Sequence, residues 1–418
     1  MTIVTLALWL VIMVGQVWAV PPCNTYYWRK PIQNGAILLN PATVSPGMTF
    51  AQFYNAIRIA DEVVHTESGS DPLKVVKQRT SPTANQAICD PNRVYTNTWP
   101  SLTIRIPDSY LLLDTNSDNR TVFLKSDGVG VVDYDYFERC TSGSDPATRF
   151  TPGKDTQSGP VGEPYSITGN CLPFKGGNLG TQLPILPSLI RQGELTSAVG
   201  VNIEHTLKSA FASGVNNLLG PSYAETALGT ASTTQGWRWP AKTADGCRTS
   251  SCQWEGTSAE MEEGALLTLP CSDRTNCAAT FDCSIRMQTE PGRKICQAIQ
   301  TYGLQGQEGG TGAAIHTANQ RPYALFLEGS MSTTGRVEVV RNELLASAYS
   351  IDTNAASLKT ECANITDPET DNFCEDMLLI ADNFRVVQNN IELCPKGCTR
   401  PTFVSAAQTD ATHTTITL

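Results

Sequence analysis

The side chains best suited to proton transfer lie in and near one central stretch, residues 183–242. Glu194 closes the segment LPILPSLIRQGE, and His205 lies in the segment VGVNIEHTLKSAF that follows. A carboxylate and an imidazole are the minimum set for moving a proton to or from a sugar oxygen or a carbon-bound hydrogen. Asp127, which follows the segment TVFLK, is a third candidate. We therefore predict catalytic roles for Asp127, Glu194 and His205, the alternative for His205 being a hydrogen-bonded histidine of the core.

Trp237, Arg238 and Trp239 form an aromatic cluster at the end of the same stretch. Indole rings stack on the C–H faces of sugars, and a guanidinium group binds hydroxyls or carboxylates. The cluster predicts a substrate-binding platform for sugars; the alternative is core packing with one exposed tryptophan.

The sequence motifs give less support to other kinds of catalytic or binding site. No G-x-S-x-G motif occurs, which argues against a serine hydrolase of that type. The glycine-rich run GLQGQEGGTG lacks the phosphate-binding motif G-x-x-x-x-G-K-[ST] and is interpreted as a flexible loop. Asp133 and Asp135 could be an acid–base pair or calcium ligands, but the remaining positions of a calcium loop are missing, which favours strand-edge residues. The sequence predicts neither a cofactor nor a metal site.

The cysteines indicate a secreted, extracellular protein with disulfide bonds. All 14 follow the apolar run MTIVTLALWLVIMVGQVWA, which is typical of a signal peptide cleaved after Ala19. No lysine or arginine precedes that run, and the alternative is an uncleaved N-terminal anchor. Six cysteines lie in residues 247–296 without a C-x-x-C pair or a histidine, so we predict disulfides there rather than zinc. Asn119 and Asn364 begin N-x-T patterns and are predicted glycosylation sites.

The charge balance argues against partners that need a basic surface. The formal net charge is −10, whereas nucleic acids and anionic membranes attract proteins with basic patches. Charged residues make up 17% of the chain, below the roughly 25% usual for soluble domains. Uncharged polar residues must then supply the surface polarity. We predict a polysaccharide or other glycan as the partner, with no nucleic acid and no membrane, and leave self-association open.

The hydrophobic patterns predict a mainly β fold with a few short helices. Strands are predicted for LTIRI, YLLLD, TVFLK, VGVVDYDYF, ALLTL, YALFLE and GRVEVV, with an Asp-Gly hairpin turn before the fourth. Alternating apolar residues in 201–211 predict a strand with His205 on its apolar face and Glu204 and Lys208 on the other. Helical spacing predicts helices over residues 50–65 and 294–302. We expect a β-sandwich or jelly-roll-like fold stapled by disulfides.

The chain is predicted to divide into four parts. They are a signal peptide (1–19), an N-terminal segment with one helix (20–97), a β-rich core domain (98–391, with insertions at 141–182 and 247–296), and a stapled end with a disordered Thr-rich tail (392–418).

The order of several motifs resembles that in a broad group of secreted, largely uncharacterised proteins of soil bacteria. In that group an S-D-x-H strand ending in aspartate is followed by G-L-P-x-x-P-G-L-x-R-x-x-E, H-A-L, W-P-A, a G-x-x-x-x-L strand and an A-L-x-x-Y-G helix. The matching segments here are SDGVGVVD, LPILPSLIRQGE, HTL at His205, WPA at Trp239, GALLTL and AIQTYG. Val129 stands where the group has its first histidine, and Ser188 where a glycine is usual. The resemblance implies a secreted β-rich fold, a sandwich of the kind found in polysaccharide-acting proteins, over residues 104–387, and implies no mechanism.

Three kinds of secreted protein are compatible with these patterns. The first hypothesis is a glycan-active enzyme, a glycoside hydrolase or polysaccharide lyase, in which Asp127, Glu194 and His205 converge in a groove. The second is a non-catalytic extracellular protein, a structural, filament or cell-wall component or a carbohydrate-binding module, in which His205 is buried. The third, a secreted peptidase or lipase, lacks a nucleophile.

Overall fold

We describe the fold from a computed structural model, and every structural statement below concerns the residues that it describes. They are residues 27–29, 31–32, 36–40, 58–80, 102–112, 120–134, 137–139, 142–143, 147–151, 165–168, 181, 183–212, 241, 264–273, 275–310, 323–346 and 372–387. The predicted signal peptide, both predicted glycosylation sites and the C-terminal tail lie outside them.

Strands make up most of the regular structure in the described residues. Those of the first half are β1 Leu38–Leu39, β2 Arg58–Thr66, β3 Leu73–Thr80, β4 Leu102–Arg105, β5 Thr121–Leu124, β6 Gly130–Tyr134, β7 Phe137–Glu138, β8 Ala147–Thr151 and β9 Tyr165–Ser166. Those of the second half are β10 Leu207–Ala212, β11 Leu266–Thr268, β12 Leu304–Gly310, β13 Tyr323–Ser332, β14 Gly335–Val337 and β15 Arg385–Val387. The α-helices are α1 Cys283–Arg286, α2 Glu290–Thr301, α3 Val339–Ala346 and α4 Asn372–Asp382. The prediction of a mainly β fold with a few short helices is confirmed.

Most strands join one large mixed sheet. Its order is β1-β15-β11-β12-β10-β13-β2-β5-β6-β9, with β14 beside β13, and β4-β3-β8-β7 form a second sheet. The pairs β10–β12, β13–β2 and β2–β5 are parallel, whereas most other pairs are antiparallel. These parallel pairs distinguish the large sheet from a wholly antiparallel jelly roll.

Three hydrophobic clusters cover the sheets. The first packs α2, α3 and α4 against strands β10 to β13, through residues such as Ile299, Met377 and Leu325. The second lies on the opposite face, where residues 183–189 cover Val64 and Phe326. A third cluster contains residues of both sheets. The centre of the large sheet is therefore covered on both faces.

Strand β2 differs from the sequence prediction. Residues 50–65 were predicted as a helix, but residues 58–66 form a strand that lies between β13 and β5, and residues 50–57 lie outside the described residues. Consecutive residues Glu62, Val63, Val64 and His65 are all buried. A strand buried on both faces loses the alternation that identifies strands in sequence. The segment predicted to precede the core thus supplies one of its central strands.

The glycine-rich run also differs from its prediction. Residues 304–310, predicted as a flexible loop, form β12, which pairs with both β10 and β11. The register shifts at Gln307, a β-bulge, and glycines are commonly found in strands at such positions. Gly303, with φ +92°, makes the turn from α2, where an added Cβ would collide with the side chain of Leu266.

Most other elements follow the predictions. The strands predicted for LTIRI, TVFLK, ALLTL and YALFLE are confirmed, and so is the helix at 294–302, which begins earlier. The strand predicted for GRVEVV ends at Val337, and α3 follows.

Two disulfides join Cys271 to Cys277 and Cys283 to Cys296, as predicted for this cysteine-rich region. No helix among the described residues is both long and apolar enough to span a bilayer.

A buried carboxylate joins α4 to the start of α2. The side chain of Asp376 accepts hydrogen bonds from the backbone N–H groups of Gln288 and Thr289, at 2.7 and 2.8 Å. The Thr289 hydroxyl caps α2 by accepting from the N–H of Gly292. These contacts orient α2, which carries Lys294 towards the site described below.

A substitution at Gly292 tests this contact. An added methyl group would collide with the Asp376 carboxylate and displace it from the first turn of α2. Because overpacking a filled site costs about 1–3 kcal/mol, Gly292→Ala should lower the free energy of unfolding by that amount in guanidinium titrations.

Gly69→Ala is the matched control. An added Cβ at Gly69 has no atom within 4 Å. Its effect should stay within about 0.5 kcal/mol. Equal stability of the two variants would contradict the described packing of α2 on α4.

Candidate active site

A tight turn at residues 191–194 holds two carboxylates against its backbone. The N–H of Arg191 donates to Glu194 Oε2 at 2.6 Å. The N–H of Gln192 and the Nε of Arg191 both donate to Glu328 Oε2, at 2.8 Å each. The Glu194 and Glu328 side chains are 18% and 13% exposed. Two partly exposed acids therefore meet at one arginine.

A third carboxylate completes the turn. The N–H of Gly193 donates to Glu343 Oε2, on α3, at 2.9 Å. Gly193 has φ +80°, which glycine adopts without steric cost. Successive N–H groups in such turns form a concave site for negative charge, and here side chains of the same protein fill it.

The turn is anchored to β13 by backbone pairing. The N–H of Ile190 donates to the carbonyl of Phe326 at 3.2 Å, and the N–H of Glu328 donates to the carbonyl of Ile190 at 2.9 Å. Leu186–Ser188, a 3-10 turn that contains Pro187, brings the chain to this position. The short pairing fixes Arg191 beside Glu328.

The imidazole of His205 lies against the carboxylate of Glu194. His205 Nε2 lies 3.1 Å from Glu194 Oε1, and Nδ1 lies 2.9 Å from the carbonyl oxygen of Thr206. A carbonyl oxygen only accepts, so Nδ1 carries a proton, and Nε2 donates to the carboxylate only when the ring is a cation. Burial alone lowers the pKa of His205, but the charge of Glu194 and the hydrogen bonds to the ring outweigh it and raise that pKa above its usual value. When the ring is protonated the two residues form an ion pair, and His205 is fully buried.

Lys294 of α2 donates hydrogen bonds to the end of the turn and to Ser197, which follows it. Its Nζ donates to the carbonyl of Ser197 at 2.7 Å, to the carbonyl of Glu194 at 3.3 Å, and to the Ser197 hydroxyl. Burial lowers the pKa of Lys294, while the carboxylates of Glu290 and Glu194 act in the opposite direction. Since all three ammonium protons have acceptors, Lys294 positions the turn and is not a free nucleophile.

A second group of charges is buried on the large sheet beside the turn. Lys208 of β10 and Arg120, which precedes β5, both donate to Oε1 of Glu62 on β2, with the Arg120 bond at 3.4 Å. The Nζ of Lys208 also lies 4.2 Å from the ring centroid of Phe326. Breaking a buried charge pair leaves one charge uncompensated, so these pairs hold β2, β10 and β13 in place.

Sequence reasoning missed this buried group. Lys208 was predicted on the polar face of a strand over 201–211, but the strand begins only at Leu207 and Lys208 is buried. Lys208 is the only Lys, Arg, Asp or Glu in HTLKSAF, and Glu62 lies between Asp61 and the apolar pair Val63-Val64 in IADEVVHT. That pattern is the available signal, because a charge within a buried strand needs a partner.

The structure brings two of the three predicted catalytic residues together. Glu194 and His205 are in contact, whereas Asp127 is exposed in the hairpin between β5 and β6. Its Oδ1 accepts from the N–H groups of Gly130 and Val129, and these bonds lower the pKa of Asp127. In the described part of the chain, no contact joins Asp127 to the other two.

The remaining predicted residues are placed as follows. Trp237, Arg238 and Trp239 lie outside the described residues. Glu204 forms a surface ion pair with Arg29 at 2.6 Å, whereas the adjacent His205 is buried. Among the described residues, no group of three or more His, Cys, Asp or Glu side chains is placed to hold a metal ion.

Comparison with known proteins assigns no family. No protein-family model matches the chain, and neither a curated protein nor a solved structure matches it. The chemistry must therefore be argued from the turn and its carboxylates.

The His205–Glu194 ion pair predicts a pH-dependent stability. A histidine whose pKa is raised by folding stabilises fully below its unfolded pKa of 6.5, and this contribution is lost as pH rises through the folded pKa. The free energy of unfolding should fall above pH 6.5 in the native protein and lack this fall in His205→Gln. At pH 6 the variant should be less stable by about 1–3 kcal/mol, because Glu194 loses its charged donor. Urea titrations across this pH range measure both effects.

His65→Gln is the matched control, because its pH dependence has the opposite sign. Burial lowers the pKa of His65, whose Nε2 lies 3.0 Å from the carbonyl of Arg105. A lowered histidine pKa contributes stability above the unfolded pKa that is lost as pH falls. Replacing His65 should change only the acid side of the profile. A fall above pH 6.5 that persists in His205→Gln would refute the ion pair.

Proposed function

We propose that this protein is a secreted glycan-active enzyme, a glycoside hydrolase or polysaccharide lyase. One observation carries this proposal: Glu194 and Glu328, both partly exposed, hydrogen-bond to the same residue, Arg191. Paired carboxylates move protons at glycosidic bonds and stabilise the positive charge that develops on the sugar. A guanidinium beside them suits sugar hydroxyls or a uronate carboxylate.

The two carboxylates have different environments, which supports different roles. Glu194 accepts hydrogen bonds from His205 and from the N–H of Arg191, which orient its carboxylate to face a cationic transition state. Glu328 accepts two hydrogen bonds through Oε2 alone, and among the described residues none is made to Oε1. The Oε1 atom of Glu328 is therefore suited to exchange a proton with the substrate. His205, which is buried, acts through Glu194.

Other features fit this function and remain proposals. The apolar N-terminal run and the disulfides suit secretion, and Trp237 and Trp239 suit a sugar-stacking platform. We also propose that the two sheets pack as a β-sandwich, since Val76 of the small sheet and Val63 of the large sheet share one hydrophobic cluster.

A non-catalytic role as a carbohydrate-binding, cell-wall or filament protein is the second candidate. Two observations favour it. His205 is fully buried, as a structural role requires, and Leu73 and Val75 are 56% and 40% exposed on one face of β3. An exposed apolar face on a sheet suits self-association.

A polysaccharide panel tests the enzymatic proposal. Product release is followed by new reducing ends, which report hydrolysis or elimination, and by unsaturated uronate absorbance, which reports elimination alone. Since a general acid or base contributes about 10²- to 10⁴-fold to rate, Glu328→Gln and Glu194→Gln should each lower kcat by at least about 100-fold.

The matched control is Glu204→Gln, which removes a carboxylate at the surface ion pair with Arg29. It should retain native kcat. A panel without products, combined with tight retention on one polymer or with filament formation, would exclude the enzyme and support the second candidate.

A further inference from the structure

The guanidinium group of Arg191 is bonded on one side only. Its Nε donates to Glu328 Oε2 at 2.8 Å, and among the described residues neither Nη1 nor Nη2 makes a hydrogen bond. The Arg191 side chain is 11% exposed. In the described part of the chain, neither nitrogen belongs to the enclosed polar atoms that lack a partner. Because a guanidinium carries its N–H donors in a planar fork, those on Nη1 and Nη2 remain for a ligand.

Several hydrogen bonds fix the position of this fork. The N–H of Gln192 donates to the same Glu328 Oε2 at 2.8 Å, and Ile190 pairs with β13, which carries Glu328. The N–H of Arg191 itself donates to Glu194 Oε2 at 2.6 Å. Arg191 therefore joins the two carboxylates of the candidate site, and a ligand held by Nη1 and Nη2 would lie next to Glu328.

The charges around the turn distinguish between possible ligands. Of the described charged side chains bonded to the turn, His205 and Lys294 are buried, so Arg191 is the cation that reaches solvent. It already forms an ion pair with Glu328, and the carboxylates of Glu194 and Glu328 are themselves partly exposed. A ligand carboxylate would meet two like charges at this surface, which disfavours its binding. The formal net charge of −10 adds to the repulsion of a polyanion.

Uncharged hydroxyl groups fit the same donors without this repulsion. A hydroxyl oxygen accepts a hydrogen bond and brings no charge, and its own O–H can donate to a nearby carboxylate. Two hydroxyls on neighbouring ring carbons offer two acceptors to the two Nη groups of Arg191. Glu328 Oε1 remains available for the proton exchange proposed above.

We infer that Arg191 determines the substrate class: it binds neighbouring hydroxyls of an uncharged sugar, and the substrate is a neutral glycan rather than a polyuronate. This inference rests on the proposed function. Elimination requires a C–H made acidic by an adjacent carboxylate, which a neutral sugar lacks, so the reaction is hydrolysis. The bond from the anomeric carbon to the glycosidic oxygen breaks, and one water molecule supplies a hydroxyl to the carbon and a proton to the oxygen.

The choice of the native protein among polymers tests the substrate class. Unsubstituted xylan, mannan and β-glucan are uncharged, whereas polygalacturonate and alginate carry a carboxylate on each sugar. New reducing ends should appear from an uncharged polymer, without unsaturated uronate absorbance from the other two. Cleavage of polygalacturonate or alginate with equal or higher kcat/KM would overturn the inference while the enzymatic proposal stands.

Arg191→Lys tests the role of the fork, because lysine keeps the positive charge but lacks the two planar Nη groups. Loss of a hydrogen bond from a charged donor should raise KM about 10- to 100-fold, with a smaller change in kcat. Arg29→Lys, at the surface ion pair with Glu204, is the matched control and should retain the native KM. An unchanged KM in Arg191→Lys overturns the inference. If that variant does not fold, the choice among polymers decides.

Retardation in native gels that contain the same polymers separates this inference from the proposed function. If no polymer yields product, but an uncharged one retards the native protein and not Arg191→Lys, sugar binding by Arg191 stands and the enzymatic proposal fails. Retardation by polygalacturonate or alginate alone, or by none of the polymers, overturns the inference.

Discussion

The structure depends on the pairing of charges at the centre of a sheet that is covered on both faces. Helices cover one face of strands β10 to β13, and residues 183–189 cover the other. Lys208 and Glu62 therefore have little access to water, and each would be costly to bury alone. Lys208 passes over the ring of Phe326 on β13 to reach Glu62 on β2. One ion pair thus specifies the order of three strands, and a slip of one residue would move its charges into the helix-covered face.

The candidate site depends on the same need to pair buried charges. The turn at Arg191 lies beside β13 because Ile190 pairs with that strand, and Arg191 then neutralises Glu328 next to Glu62. On the other side of the turn, Glu194 contacts the buried His205 and raises the pKa of its imidazole. The charged residues of the candidate site are also the counter-charges of groups buried on the sheet. In the proposed enzyme these charges would serve stability and chemistry together, a combination that is common at functional sites.

Part of this arrangement is readable in the sequence. Glu194 and His205 were identified as candidates because a histidine at an apolar position near a carboxylate suggests chemistry, and they are in contact. Helix α2 and the strands with clear alternation were also predicted. Two features of the fold could not be predicted from the sequence, for physical reasons. Strand β2 is buried on both faces and lacks a period of two, and the bulge in β12 accommodates glycines that otherwise indicate a loop.

The neighbour of Glu328 on the next strand could not be predicted from the sequence for a different reason. Strand periodicity shows which face a residue occupies, but it carries no information on which distant strand lies alongside. The parallel pairing of β2 with β13 places Glu62 beside Glu328, and no local signal encodes it. Sequence reasoning could find the charged residue in each strand but not their proximity.

The pairing of β2 with β13 also bears on how the chain reaches its native state. These strands come from opposite ends of the described chain, and β5, β6, β10 and β12 all lie between them in sequence. Closing so long a loop is entropically costly, and folds dominated by such contacts form slowly. The chain must be almost complete before β13 can insert between β10 and β2. Until that late step the central strands have unpaired edges, which exposes the incomplete chain to aggregation.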